Sequence, residues 1–309
     1  MPMPHQTQMQ IIKRRLSGKQ GTERVRELRT ILQELPDYRN GPYADLRKWV
    51  MEQIDETRVR SRVVQRDSIA VRREGAAQIA LVGAPNAGKS SLLHALSHVQ
   101  IKIGDYAFTT LRPVPALTRI GGVLVQLVEI PGLIDGAAED RGGGRALLGV
   151  LRGADAIVYC QAVTERPEAL AIVRGEVDAA GIDRPALLAA TKMDEAGEAD
   201  LAALRAAVSD LPVVGVSVLD DASLERLKEA MWGLTGLIRV YLRHEGRTAE
   251  EPLALPAGST VADVAMGIHK SIGASFKVAR LWGPSAHFDG QQVGRAHRVQ
   301  DGDTIEIVR

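Results

Sequence analysis

The apolar positions of this chain change their period along its length, and each change marks a part. Over the first seventy or so residues they recur at helical spacing. Met9 to Leu16, Thr22 to Leu35 and Tyr43 to Val71 read as helices, with breaks at Ser17-Gly18 and around Pro36 to Pro42. From residue 75 short unbroken apolar runs take over. Ile79 to Val82, Ala156 to Cys160 and Ala186 to Ala190 suit strands, the last a buried strand of a parallel sheet, and Val123 to Ile130, interrupted by Gln126 and Glu129, is a strand pattern as well. Ser91 to Leu96 between them is helix-like, Val214 to Leu219 reads as a strand and a serine turn, and Ser223 to Trp232, with Ser-Leu-Glu as its start, closes this part as a helix. Beyond residue 237 the elements are strands at Leu237 to Leu242, Phe276 to Leu281 and Thr304 to Val308, with one helix at Thr260 to Ile268 whose Thr260 and Asp263 fit a capping box. The pattern predicts a basic helical region at 1–74, an α/β domain with a doubly wound, mostly parallel sheet at 75–236, and a small β-rich module at 237–309.

Composition sets bounds on this layout. With 309 residues, 45% hydrophobic and 25% charged, the chain can bury a full α/β core and carry flanking modules. No apolar run reaches membrane-spanning length and no signal-peptide pattern opens the chain, which reads as a cytoplasmic protein with no membrane partner. The single cysteine, Cys160, reads as a small buried apolar residue, and no disulfide can form within the chain. A net charge of +1 points to no partner, but residues 1–74 hold 16 Lys and Arg against 10 Asp and Glu. The basic residues concentrate in Lys13-Arg14-Arg15, Arg24 to Arg29 and Arg58 to Arg73. Such an arm suits ribosomal RNA; equally, interleaved acids suit a helical hairpin packed on the α/β domain with solvated arginines.

The chemistry is concentrated at three strand ends. Gly83-Ala84-Pro85-Asn86-Ala87-Gly88-Lys89-Ser90-Ser91 is a complete GxxxxGK[ST] loop between a strand and a helix. Gly83 and Gly88 let the backbone turn its N–H groups inward, the helix adds its positive end, Lys89 supplies a point charge for the β and γ phosphates, and the Ser90 hydroxyl is a Mg²⁺ ligand. The second strand end is Glu129-Ile130-Pro131-Gly132, where nucleotide switches place a carboxylate for Mg²⁺ and a glycine N–H for the γ-phosphate. Here the carboxylate is Glu129, longer by a methylene than the usual Asp and expected to act through water. Tyr106 to Leu111 offers two hydroxyls, of which Thr110 is favoured to complete the Mg²⁺ shell. At the third end, Thr191-Lys192-Met193-Asp194 has the form [NT]KxD. Asp194 can accept from both N1–H and the 2-amino group of guanine, a donor pair that adenine lacks, and Lys192 can lie along the base.

Asp105-Tyr106-Ala107-Phe108-Thr109-Thr110-Leu111-Arg112-Pro113, with Ile130 to Glu139, resembles the Obg/DRG group of GTPases. Gly236 to Tyr241, His269-Lys270, Phe276 to Gly283 and Gly302 to Ile307 resemble the TGS domain that ends DRG-type (developmentally regulated GTP-binding) proteins. The resemblance implies a P-loop GTPase domain followed by a β-grasp TGS domain, with the nucleotide held by Gly83, Pro85 to Ser91, Thr191, Lys192, Asp194 and, at the O6 of guanine, Ser217 and Val218. It implies that Asn86 helps to hold a K⁺ ion near the phosphates, and that Leu133 stands where Ras-like enzymes carry a water-orienting glutamine. Lys89, Thr110 and Gly132 then carry a slow, Mg²⁺-dependent and K⁺-stimulated GTP hydrolysis. Only about 58 residues separate Pro131-Gly132 from Thr191, too few for the inserted domain of archaeal and eukaryotic DRG proteins, so the chain looks like a compact relative. TGS modules are suspected to contact RNA or ribosomal components; Lys270, Lys277 and Arg280 are the residues to test, with ordinary strand-edge charge as the other reading.

Two functions follow. One is a GTP-hydrolysing switch that acts with the ribosome or RNA, with a protein activator among its partners. The other is a guanine-nucleotide-dependent ribosome or RNA binding module in which Glu129 and Leu133 leave hydrolysis negligible.

Overall fold

The computed structural model describes residues 5–16, 19, 21–36, 41, 44–55, 71–97, 112–131, 144–166 and 168–308. Among the expected site residues Thr110, Gly132 and Leu133, with the Tyr106 to Leu111 loop, lie outside the described residues. The chain divides into two compact units, Met1–Ser68 and Ile69–Arg309.

The first unit is helical. α1 (His5–Leu16), α2 (Gly21–Glu34) and α3 (residues 44–55) turn Ile12, Leu16, Leu28, Ile31, Leu46, Val50 and Ile54 into a shared core. Its positive charge is partly spent inside the unit: Arg15 pairs with Glu27 and Glu34, and Arg47 Nη1 donates to the carbonyl of Leu35 (2.9 Å), closing the C-terminal end of α2. Lys13, Arg14, Arg26 and Arg29 remain exposed. The helix expected to reach Val71 is helical over 44–55, and Val71 itself lies in irregular chain leading to the next strand.

The second unit opens with a six-stranded sheet in the order β2-β3-β1-β4-β5-β6. Its strands are β1 (Gln78–Val82), β2 (Val114–Ile120), β3 (Val123–Glu129), β4 (Ala156–Ala162), β5 (Ala186–Thr191) and β6 (Val213–Gly215). Only the β2–β3 hairpin is antiparallel. The mostly apolar central strands follow from burial on both faces. One face packs on α4 (Lys89–Leu96) and α8 (Asp221–Leu234) through Leu92, Leu96, Leu227 and Met231. The other carries α5 (Gly144–Gly153), α6 (Glu168–Ala179) and α7 (Glu198–Ala207) through Leu147, Leu151, Val173 and Leu204. α8 begins at Asp220, which caps Ala222 N–H (3.1 Å); Ser223, expected as the start, is buried inside the first turn.

The remainder is a mixed sheet with β7 (Leu237–His244) parallel to β12 (Asp303–Val308) at its centre, the β-grasp arrangement. β10 (Val278–Trp282) and β11 (Gln291–Val293) extend one side; β8 (Arg247–Thr248) and β9 (Leu253–Pro256) pair with β7 on the other. α9 (Val261–Ile268) packs its Val261, Val264 and Ala265 into this core, with Thr260 and Asp263 forming the expected capping box. α10 (Lys270–Ser275) follows, so Phe276 ends a short helix rather than starting the strand, and its ring is buried.

Leu237 and Ala254 also pack against the core of the first sheet, joining the two sheets. The Gly121-Gly122 turn of the β2–β3 hairpin lies so close that a Cβ on Gly121 would stand 2.2 Å from Arg239 Nη1.

Candidate functional site

The site forms where β1 ends between β3 and β4, the point at which strand order reverses and an open α/β sheet leaves a crevice. Gly83 leaves the sheet under the β4 backbone: a Cβ there would lie 2.2 Å from the carbonyl oxygen of Cys160, so no larger residue fits. Asn86 and Gly88 take left-handed backbone angles, φ 64° and 80°, which curl the loop into the N-terminus of α4. α4 has no side-chain cap, so its first N–H groups face the loop.

Lys89 is only 6% exposed, and its ammonium donates to the carbonyls of Gly83 (3.0 Å) and Ala84 (2.8 Å). Burial pushes its pKa down, with the charge of Glu129 opposing that shift. Beside it the Ser90 hydroxyl donates to Glu129 Oε1 at 2.6 Å, bringing together two of the expected metal ligands. Both are hard oxygen donors, which suits Mg²⁺. Asn86 is exposed and its amide makes no hydrogen bond among the described residues, leaving a neutral oxygen for a monovalent cation. Pro85 and Ser91 lie on the exposed side of the loop and Ala87 is buried beneath it.

The base-reading segment is tied to this loop. Thr191, 5% exposed at the end of β5, donates through Oγ1 to the carbonyl of Ala87 at 2.8 Å, across 104 residues of sequence. Lys192 then adopts φ 61° and Asp194 follows in a single 3₁₀ turn. The Asp194 carboxylate accepts from Ser217 Oγ (2.6 Å), and that hydroxyl, with the residue's own backbone N–H, holds its pKa below the usual aspartate range. Ser217 is fixed in turn: its N–H donates to Ser223 Oγ (3.1 Å), while Ser223 Oγ donates to the Asp220 carbonyl (2.7 Å). Val218, next to it, is 41% exposed. A carboxylate fixed by a hydroxyl beside an exposed turn is arranged to accept two parallel donors from a planar ring.

A separate cavity of about 800 Å³ shares Asp194 and Ser217 but runs along the edge strand β6, between Leu201, Arg205 and Arg226. At the end of β4, Gln161 Oε1 and Glu165 Oε2 are buried without a hydrogen-bond partner. Cys160 is buried, and burial pushes its thiol up to about 12, the inert core residue expected.

Family models match both halves of this unit: the 50S ribosome-binding GTPase family over residues 78–192 and the TGS domain over residues 238–309. An uncharacterized GTP-binding protein of Halobacterium salinarum is 30% identical over 313 aligned positions, which cover 77% of this chain and 85% of that protein. The chain belongs to the DRG-type GTP-binding protein family. Developmentally-regulated GTP-binding protein 1 of Xenopus laevis is 28% identical, covering 77% of this chain and 84% of its own length. Among solved structures, the G domain of the T. maritima FeoB iron transporter is similar with a TM-score of 0.43 and 23% identity, over 51% of this chain and 98% of that one.

Among the described residues, Lys89 and Ser90 follow β1, Glu129 ends β3 and Thr191 ends β5, where the sequence motifs place them, but two supports were missed. Ser223 anchors Ser217, and Arg239 clamps the junction of the two sheets. The spacing of Ser223, six residues after Ser217 at a helix start, is the only signal that points to it.

Proposed function

We propose that this protein is a guanine-nucleotide switch that hydrolyses GTP slowly. The observation that carries this reading is the Thr191 to Ala87 hydrogen bond, because it couples the segment bearing Asp194 to the phosphate loop. In this reading Gly83 and Pro85 to Ser91 wrap the phosphates. Lys89 exchanges the Gly83 and Ala84 carbonyls for phosphate oxygens, and Gly132 offers its N–H to the γ-phosphate. Asp194 and Lys192 take the guanine edge and face, with Ser217 and Val218 at O6. Ser90, Thr110 and Glu129 hold Mg²⁺, which neutralises charge on the phosphates when bound, and Asn86 helps to hold K⁺. Leu133 offers no group to orient water, which keeps the intrinsic rate low.

The partner in this reading is the ribosome or RNA in the cytoplasm, with a protein activator able to raise the rate. It draws on the family description and on the exposed Lys13, Arg14, Arg26 and Arg29 of the helical unit. No helix among the described residues is long and apolar enough to cross a membrane. A second reading, a nucleotide-dependent binding module with negligible hydrolysis, rests on Glu129 standing where nucleotide switches carry Asp and on Leu133 offering no group to orient water.

Single-turnover GTP hydrolysis in K⁺ and in Na⁺ buffer, for the parent and Lys89→Ala, separates the two readings. The switch gives a slow rate in the parent that rises in K⁺ and vanishes in the variant. A parent rate no greater than that of Lys89→Ala leaves only the binding module, and equal rates in the two salts remove the role of Asn86. Co-sedimentation with ribosomes in GTP, GDP and no nucleotide tests the partner.

A further inference from the structure

We propose that Glu129 is a direct ligand of the divalent cation that accompanies the nucleotide, adjacent to Ser90 in its coordination shell and in place of a bound water. This deepens the proposed function and rests on it. The argument starts from the strand. Glu129 is held on both sides, opposite Leu81 of β1 and Val114 of β2, and the next N–H, of Ile130, donates to the Leu81 carbonyl at 2.9 Å. A backbone fixed in two ladders cannot draw back to absorb a longer side chain, so the extra methylene of Glu over Asp extends into the site.

A carboxylate that acts through water stands about 4 Å from the cation, and a direct ligand about 2.1 Å. One added carbon–carbon bond of about 1.5 Å closes most of that gap. The observed contact agrees: Ser90 Oγ and Glu129 Oε1 are 2.6 Å apart, against about 3 Å between neighbouring oxygens of an octahedral Mg²⁺ shell. A separation of a few tenths of an ångström turns this hydrogen-bonded pair into two adjacent ligands. Lys89 does not compete for the carboxylate: its ammonium is turned onto the Gly83 and Ala84 carbonyls here, and onto phosphate oxygens in the proposed nucleotide complex. The carboxylate replaces a neutral water with a charged oxygen, which makes the site more tolerant of Mn²⁺ than a water-rich one.

The test counts metal-bound waters. Mn²⁺ with GDP is bound to the full chain in ¹⁷O-enriched water, and the line broadening of the Mn²⁺ spin resonance gives the number of coordinated waters. The parent is expected to hold one water fewer than Glu129→Asp. Glu129→Gln, with the same reach and no charge, should keep the parent count and bind Mn²⁺ about tenfold more weakly. Equal counts in the parent and Glu129→Asp overturn the proposal while leaving the nucleotide site in place. If Glu129→Asp does not fold, Glu129→Ala takes its place: one water more than the parent supports direct ligation, and an equal count overturns it. No GDP-dependent Mn²⁺ signal in the parent overturns the proposed function along with it.

Discussion

Replacing Arg239 with alanine should loosen the junction between the two sheets, and the structure sets the size of the effect. Its side chain is 16% exposed and forms a fork on Glu229 of α8 (2.9 and 3.0 Å). It also bonds Asp301 through Nη2 (2.7 Å) and Nε (3.1 Å), with its guanidinium 5.3 Å from the Trp232 ring. Glu229 is 53% exposed, so that pair contributes only about 0.5 kcal/mol. The two charge-assisted bonds to Asp301 contribute about 2 kcal/mol, and the ring contact about 0.5–1 kcal/mol. Asp301 keeps the Arg239 backbone N–H (2.6 Å) after the substitution, which holds the cost below the 3–5 kcal/mol of breaking a fully buried pair. Arg239→Ala should therefore cost about 3 kcal/mol in urea unfolding of the full chain, followed by tryptophan fluorescence. In an Asp301→Asn background the same change should cost about 1–2 kcal/mol less. Burial raises the Asp301 pKa, but the Arg239 bonds outweigh it and leave the group below its usual value. Its stabilisation is thus complete above the unfolded value near pH 4 and is lost as pH falls through the lower folded value. The gap between parent and Arg239→Ala should narrow only in that acidic range. A loss under about 0.5 kcal/mol at neutral pH, or a gap unchanged in strong acid, would refute the reasoning.

Gly83→Ala sets a new Cβ 2.2 Å from the Cys160 carbonyl oxygen, a backbone clash that no rotamer relieves; GDP affinity measured with a fluorescent analogue should fall by about 100-fold or more, and near-parental binding contradicts this. Thr191→Val keeps the shape and removes the bond to Ala87, so Tm should drop by about 2–4 °C with GDP binding weakened severalfold, whereas unchanged values would deny the coupling of the two loops. Cys160, buried and with its thiol pushed up to about 12, should stay unlabelled by a thiol reagent in the folded protein and react on unfolding; rapid native labelling contradicts its place in the core.

Strands carried by apolar runs were legible in the sequence because both faces of the sheet are buried: β1, β4 and β5 lie where the runs place them, and β3 follows the Val123 to Ile130 pattern despite Gln126 and Glu129. Among the elements that escaped, two have weak local signals. β9 contains Ala254 and ends at Pro256, and it exists because β7 offers it an edge. α10 is six residues long and carries Gly273, where a Cβ would lie 2.4 Å from Met266 Sδ; the close approach of α9 requires the glycine, and a lone glycine in a short polar stretch reads as a turn. At the site, residue types gave the chemistry and tertiary pairing gave the geometry. Thr191 could be placed beside the phosphate loop by its motif, but the Ser217 to Asp194 bond depends on Ser223, which the sequence presents only as a helix start.

The central claim is that Asp194 reads guanine, and equilibrium binding of GDP and ADP to the parent and to Asp194→Asn tests it most directly. A site that pairs a charged acceptor with two ring donors should bind GDP at least about 100-fold more tightly than ADP. Asp194→Asn should lose GDP affinity by more than about tenfold and turn its preference to xanthosine diphosphate, whose ring carries an oxygen that the new amide can meet. ADP bound as tightly as GDP, or an Asp194→Asn protein that still prefers guanine by the parental margin, would contradict the account.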